Sequence, residues 1–371
     1  MNNKLLHIVS LDVPFPPDYG GVIDIFYRIK TLHQLGIKII LHCFEYGRGQ
    51  SEELEQYCEQ VHYYKRSNSF KSIFNIKPFI VSSRQNNELL KNLSYDSIPI
   101  LFEGLHTTGM INHPQLAKRK RFVRMHNVEW MYYEAIAENE VKQWKRLFYK
   151  FESFKLKKFE RHISEATLLA LSKKEFNYFN YKYNNVHYLP VFHPYSEVKS
   201  KTGKGEYLLY QGNLSVNENV NSIRFLLEDV KIATANLPLI IAGKNPSDEL
   251  KHLLSNYSSV QLIANPSHQK MDELIADAHI NLLPTFQPTG IKLKLLNALF
   301  RGRHCIVTDL MVIGTGLEPI CTCIDEPTKF LNEVNKLKAI PFTSEDIDER
   351  ENLLNEQFNN VKSGEQFMEL L

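Results

Sequence analysis

Short apolar runs alternate with longer stretches of helical periodicity through most of the chain, the pattern of strand–helix units laid into parallel sheets. In the first half, strands are predicted at 4–11, 37–44, 61–64, 98–102, 121–125 and 166–171, with a helix over 22–35 that Gly36 ends. A long helix rich in Lys and Arg is predicted over 144–163. Residues 191–205 are polar, carry Pro194 and read as a linker. The alternation then restarts, with strands at 207–211, 237–242, 260–263, 279–283, 304–307 and 321–324 and helices near 220–234, 247–256, 268–276 and 291–301. The chain thus divides into a domain over 1–190, the linker 191–205, a second α/β domain over 206–343 and terminal helices over 344–371.

A length of 371 residues exceeds one ordinary core and agrees with that division. Hydrophobic content of 43% with 23% charged residues is that of a folded globular protein. Lys plus Arg of 44 against Asp plus Glu of 42 leaves +2, so no overall field recruits nucleic acid, and any basic function is local. The five scattered cysteines match neither a disulfide framework nor a zinc spacing, which makes the cytoplasm the expected compartment. No apolar stretch has the length of a signal or a membrane span. With no Asp-x-Asp at a strand end and no His/Cys cluster, no metal is expected.

Residues 283–308 read as a strand, a tight loop and a helix that opens at Thr289-Gly290. Lys292 and Lys294 place cations in a first turn that is already electropositive, which is unfavourable unless an anion sits there. Ile291, Leu295, Ala298 and Leu299 form an apolar stripe, and Lys294, Asn297 and Arg301 a second stripe at helical spacing. Spacing alone leaves two readings open, a helix start that holds phosphate and lysines that merely extend into water. The basic helix at 144–163 likewise suits either an anionic membrane surface or a solvated cover on the first sheet.

Several segments, in order, resemble the family 4 glycosyltransferases: Pro17-Asp18-Tyr19-Gly20-Gly21, Arg124-Met125-His126-Asn127-Val128-Glu129 with Tyr132-Tyr133, and Ala170-Leu171-Ser172 with Glu175. Gln211-Gly212-Asn213-Leu214, Ile240-Ile241-Ala242-Gly243 and the 290–307 segment continue the likeness over nearly the whole chain. The resemblance implies a GT-B fold, two Rossmann-like doubly wound parallel-sheet domains facing across a cleft, the first binding the acceptor and the second the nucleotide sugar. It implies metal-independent, retaining transfer of a hexose to a glycan or lipid-linked acceptor in cell-surface polysaccharide or glycoconjugate synthesis. No cofactor is implied beyond the UDP- or GDP-linked donor, and the place of work is the cytoplasm or the inner face of the membrane. The terminal helices are expected to cross back to the first domain.

Residue by residue, the resemblance assigns His126 to the transferred sugar, and Lys294, a cation at a helix start, is expected to hold the diphosphate. Gly20 and Gly21 fall at the donor–acceptor junction, and Gly212, Asn213, Gly243, Thr289, Gly290, Lys292 and Asn297 on the donor side. His106, Asn127 and Glu129 fall on the acceptor side. The chain also departs from the family pattern. The Arg and Lys that usually follow the Gly-x-Leu are absent after Gly212-Asn213-Leu214, and Thr289 and Asn297 stand where many members have glutamates. Two accounts follow: an active enzyme in which Lys294 takes over the diphosphate, or a non-catalytic nucleotide-sugar-binding or scaffold protein with a degenerate site.

Overall fold

The computed structural model describes residues 4–67, 75–287 and 293–371. It forms two compact units, Met1–Pro194 with Phe358–Leu371, and Tyr195–Gln357.

Unit 1 is built on β1 (Leu5–Ser10), β2 (Lys38–Glu45), β3 (Gln60–Lys65), β4 (Ile100–Glu103), β5 (Arg121–Met125), β6 (Thr167–Ala170) and β7 (Val186–Tyr188), in the sheet order β3-β2-β1-β4-β5-β6-β7. All its strand pairs are parallel. The central strands are buried on both faces because helices cover both faces. Unit 2 carries β8 (Leu208–Asn213), β9 (Leu239–Lys244), β10 (Val260–Ala264), β11 (Ile280–Leu283), β12 (His304–Val307) and β13 (Thr322–Cys323), all parallel, in the order β10-β9-β8-β11-β12-β13. In each sheet the chain reverses its direction of winding at the first strand, between β1 and β4 and between β8 and β11. Such switch points leave a crevice at the carboxyl ends of the strands.

Three expectations are revised in detail. Strand β7 had no signal of its own, since three residues between polar Asn185 and Leu189-Pro190 are too few to show a period. The helix predicted over 220–234 is broken: Asn217–Arg224 runs into a wider π turn at Phe225–Asp229, and Lys231 adopts a left-handed φ of 56°. The basic helix is Gln143–Phe159, and its last predicted residues form a separate tight turn, Glu160–Ile163.

The C-terminal tail divides. Helix Ser344–Gln357 stays with unit 2, where buried Arg350 donates to the carbonyls of Gly302 (2.6 Å) and Arg303 (2.8 Å). Helix Asn360–Leu370 belongs to unit 1 and packs on helix Gly20–Gln34, with Phe367 against Phe122 at 5.2 Å between ring centroids. Asn360 and His193 tie this return together, Asn360 Nδ2 donating to the His193 carbonyl at 2.7 Å.

A buried polar chain runs through one edge of unit 1. His7 Nε2 meets Asp96 at 3.0 Å, His7 Nδ1 meets His42 Nε2 at 2.8 Å, and His42 Nδ1 meets the Tyr64 hydroxyl at 2.9 Å. Burial lowers both imidazole pKa values, with Asp96 partly opposing it at His7 and the neighbouring imidazole reinforcing it at His42. The unfolded chain then binds more protons in acid than the folded one, so their contribution to stability is complete above about pH 6.5 and lost as the pH falls below it. Denaturant midpoints measured between pH 7 and pH 5 are expected to fall, and to fall less in His42→Phe. A midpoint independent of pH over that range would contradict this.

Candidate functional site

Two constellations form, one at the carboxyl edge of each sheet. In unit 2, Gly212, one residue before the end of β8, pairs with Gly243 of β9. A Cβ on Gly243 would lie 1.8 Å from the Gly212 carbonyl oxygen, so the two backbones meet where no side chain fits. The Asn213 carbonyl accepts from Asn219 Nδ2 at 2.9 Å, and its side chain accepts from Ser215 N at 3.1 Å, closing the turn after β8.

The helix after β11 is described over Leu293–Arg301 and buries Leu295, Leu296, Ala298, Leu299 and Phe300. Lys294, Asn297 and Arg301 are half-buried on its other side. Lys294 Nζ donates to Asn219 Oδ1 at 3.0 Å, approaches the Tyr210 hydroxyl at 3.4 Å and lies 5.2 Å from the centre of that ring. The Gln211 side chain reaches the Lys294 carbonyl at 2.8 Å. Lys294 is thus linked through Asn219 to the glycine pair, since a Cβ on Gly212 would sit 3.1 Å from Asn219 Nδ2. Thr289, Gly290 and Lys292 lie outside the described residues. Glu218, which sequence reasoning passed over, stands in the first turn of helix Asn217–Arg224 and accepts from the Thr285 hydroxyl just after β11.

In unit 1, Gly20 and Gly21 form the start of helix Gly20–Gln34, whose first peptide N–H groups have no partner within the helix. The loop before them is braced: the Tyr19 hydroxyl and Val13 N donate to Asp12 at 3.0 and 2.9 Å, and Arg48 donates to Asp18 at 2.7 Å. One turn into the helix stands Asp24, fully buried. It accepts from Arg28 (2.8 Å), twice from Arg124 (2.9 and 3.0 Å) and from Phe192 N (2.8 Å). Arg28 also donates to Glu103, whose other oxygen is 3.0 Å from His126 Nε2. His126 therefore ends a buried chain of alternating charge that starts beneath the Gly20-Gly21 turn. Burial alone would raise the Asp24 pKa, but Arg124 and Arg28 hold it well below the usual carboxylate range.

Sequence reasoning missed Asp24, Arg28, Glu103 and Arg124. Asp24 and Arg28 stand four residues apart in a helical pattern, a spacing that does not tell a buried pair from a surface one, whereas the arginine in the interior of strand Arg121–Met125 was an available signal. Asp24, Glu103 and His126 present ligand atoms within 4.8 Å of one another. Both carboxylates already accept from buried guanidinium groups, so a metal there would have to displace Arg28 and Arg124.

Beyond His126 the edge continues with His106, Asn127 and Glu129. Gly104, at a φ of 65°, brings the chain round so closely that a Cβ would lie 2.8 Å from His106 Nδ1 and 3.5 Å from the His126 ring. His106 Nδ1 and Glu129 Oε1 stand 3.9 Å apart, and neither atom has a hydrogen-bond partner among the described residues. Burial pushes the Glu129 carboxyl up to about 8 against the opposing pull of Asn127 and Arg84, so it is largely protonated at neutral pH. Burial likewise holds His106 neutral, helped by the positive charge of Arg84. Arg84, also missed from sequence, is anchored on the Leu11 and Ile80 carbonyls at 2.9 and 2.8 Å.

Residues 205–338 match the family profile described as "Glycosyl transferases group 1". A curated relative, an uncharacterized 44.6 kDa protein in the cps region of Klebsiella pneumoniae, is 29% identical over 328 residues, 83% of this chain and 84% of that protein. The fold is similar to sucrose-phosphate synthase from Thermosynechococcus elongatus (TM-score 0.69, 13% identity, covering 99% of this chain and 98% of that one). It is also similar to Anabaena HepE in complex with UDP and glucose (TM-score 0.65, 10% identity, covering 99% of each).

Proposed function

We propose that this protein is a retaining hexosyltransferase: residues 205–338 match the profile of the glycosyl transferases group 1, within a chain of GT-B fold. It takes a UDP- or GDP-linked sugar as donor and a glycan or lipid-linked molecule as acceptor, in the cytoplasm at the inner face of the membrane. The observation that carries this reading is the placement of Lys294. A cation on the helix after β11 stands next to a pair of glycines that leaves the adjacent strand ends bare, an arrangement suited to a diphosphate. Asn297, one turn further on, supplies both a donor and an acceptor for ribose hydroxyls.

Retention without a covalent intermediate asks for a held leaving group and an aligned acceptor more than for a strong base. Lys294 would stabilise the departing diphosphate. His126 would hydrogen-bond the transferred sugar, its ring set by the bond from Nε2 to Glu103. His106, Asn127 and the protonated Glu129 would line the acceptor side, and no metal takes part. The HepE complex holds UDP and glucose, and the cps-region relative is in keeping with a role in surface polysaccharide.

The test is release of nucleoside diphosphate from a panel of sugar nucleotides, with and without candidate acceptors, and the anomeric configuration of the product by NMR. Acceptor-dependent release from one donor, with retention, is expected. In His126→Ala, turnover is expected to fall about 100-fold or more, as when one transition-state contact is removed. Thr289 and Asn297, where many family members have glutamates, favour the alternative of a non-catalytic binding protein. Nucleotide binding without turnover on any acceptor would establish that alternative.

A further inference from the structure

Helix Gln143–Phe159 has two apolar faces. One buries Leu156 and Phe159 in the core of unit 1. Opposite it, Trp144, Leu147, Phe151 and Phe154 follow the i, i+3, i+7, i+10 spacing of a single stripe and are 67%, 68%, 55% and 54% exposed. Val141, just before the helix, is 86% exposed. An apolar stripe of this size, aromatic at three of its four positions, is uncommon on a surface that faces only water.

The charges around the stripe are sorted. Glu152, the one acidic residue of the helix, and Glu160, just after it, are buried, Glu152 against Lys155 and the Phe79 amide and Glu160 against Lys182. Arg146, Lys150, Lys157, Lys158 and Arg161 are exposed. Lys158 Nζ lies 4.3 Å over the Phe154 ring and Lys145 Nζ 5.7 Å over that of Trp144, so long cationic side chains run along the aromatic stripe. The solvent-facing side of this helix therefore combines aromatic apolar groups with charge of one sign only. The exposed acids Glu134 and Glu138 belong to the preceding helix, Glu129–Asn139.

We propose that Gln143–Phe159 is a membrane-docking helix that seats unit 1 on a bilayer of anionic lipids. Its apolar stripe enters the headgroup boundary while the flanking lysines and arginines meet lipid phosphates. A second copy of the chain is a poorer occupant of this face, because self-association would set one cationic surface against another. In the role proposed above, docking brings unit 1 to the leaflet that carries a lipid-linked acceptor. The inference rests on that reading only for its purpose, since vesicle binding is measured without donor or turnover.

The experiment is co-sedimentation of the full chain with vesicles of phosphatidylcholine alone and of seven parts phosphatidylcholine to three parts phosphatidylglycerol. The wild type is expected to bind the anionic vesicles about tenfold or more tightly than the neutral ones, and less tightly as salt is raised. Trp144→Ser/Phe151→Ser/Phe154→Ser and, separately, Lys150→Glu/Lys157→Glu/Lys158→Glu are expected to lose that binding while keeping sugar-nucleotide affinity and the circular dichroism of the wild type. A wild type that stays in the supernatant would overturn the proposal, as would folded variants that sediment like the wild type. A wild-type dimer that these substitutions convert to monomer would assign the face to a second copy instead. Failure of the transferase reading appears separately, as absent sugar-nucleotide binding in a chain that still sediments with vesicles.

Discussion

Asp24→Ala is expected to destabilise unit 1 by about 3–5 kcal/mol, the range for removing one partner of a buried ion pair. The carboxylate is fully buried and shared by two guanidinium groups and the Phe192 amide. Its loss leaves Arg124 with the carbonyls of Leu189 (2.5 Å) and Pro190 (2.9 Å) but without a counter-charge among its hydrogen-bond partners, while Arg28 keeps Glu103. An unneutralised charge in that position is far more costly than the loss of the contact itself. Both tryptophans of the chain, Trp130 and Trp144, lie in unit 1, so denaturant unfolding followed by tryptophan fluorescence reads this unit selectively. The midpoint should drop markedly in Asp24→Ala, whereas an unchanged midpoint would show that the network is dispensable. Because Arg28 also holds Glu103, which meets His126 Nε2, freeing Arg28 from Asp24 is expected to loosen His126 and lower turnover in an Asp24→Ala protein that still folds.

Lys294→Ala should weaken sugar-nucleotide binding about 10- to 150-fold, equivalent to the 1.5–3 kcal/mol typical of a hydrogen bond to a charged group. Without ligand, the ammonium already has Asn219 and the Tyr210 ring as neighbours, so its place is set before the diphosphate arrives and little ordering remains to be done on binding. Lys294→Arg keeps the charge but lengthens the side chain into the Tyr210–Asn219 corner, so partial rescue is expected. Equal affinity of wild type and Lys294→Ala, measured by ligand-induced stabilisation of unit 2, would remove the lysine from the phosphate site.

The strands of unit 2 were legible because each is a short apolar run bounded by polar or glycine-containing turns, as in Leu239–Lys244 and Ile280–Leu283. Period and punctuation sufficed there. The break at Phe225–Asp229 was not legible, since Leu226, Leu227 and Val230 continue the apolar content of a helix while the backbone widens and then turns at Lys231. Candidate site residues were legible where a glycine or histidine falls within one residue of the carboxyl end of a strand, as at Gly212, Gly243 and His126. The groups that set His126 were not. Asp24, Arg28, Glu103 and Arg124 come from three separate elements and become one network only when β4 and β5 lie side by side next to helix Gly20–Gln34. Local pattern reports a residue's spacing within its own element, and the partners of a buried charge are a property of the sheet order.

The central claim, that the carboxyl edge of unit 2 holds a sugar nucleotide through Lys294, is tested most directly by calorimetric titration. UDP-, GDP- and ADP-sugars would be titrated into the wild type and into Lys294→Ala. Saturable binding of a UDP- or GDP-sugar by the wild type, weakened at least about tenfold in the variant, is expected. Absence of binding to every nucleotide, or binding that Lys294→Ala leaves intact, would contradict that claim.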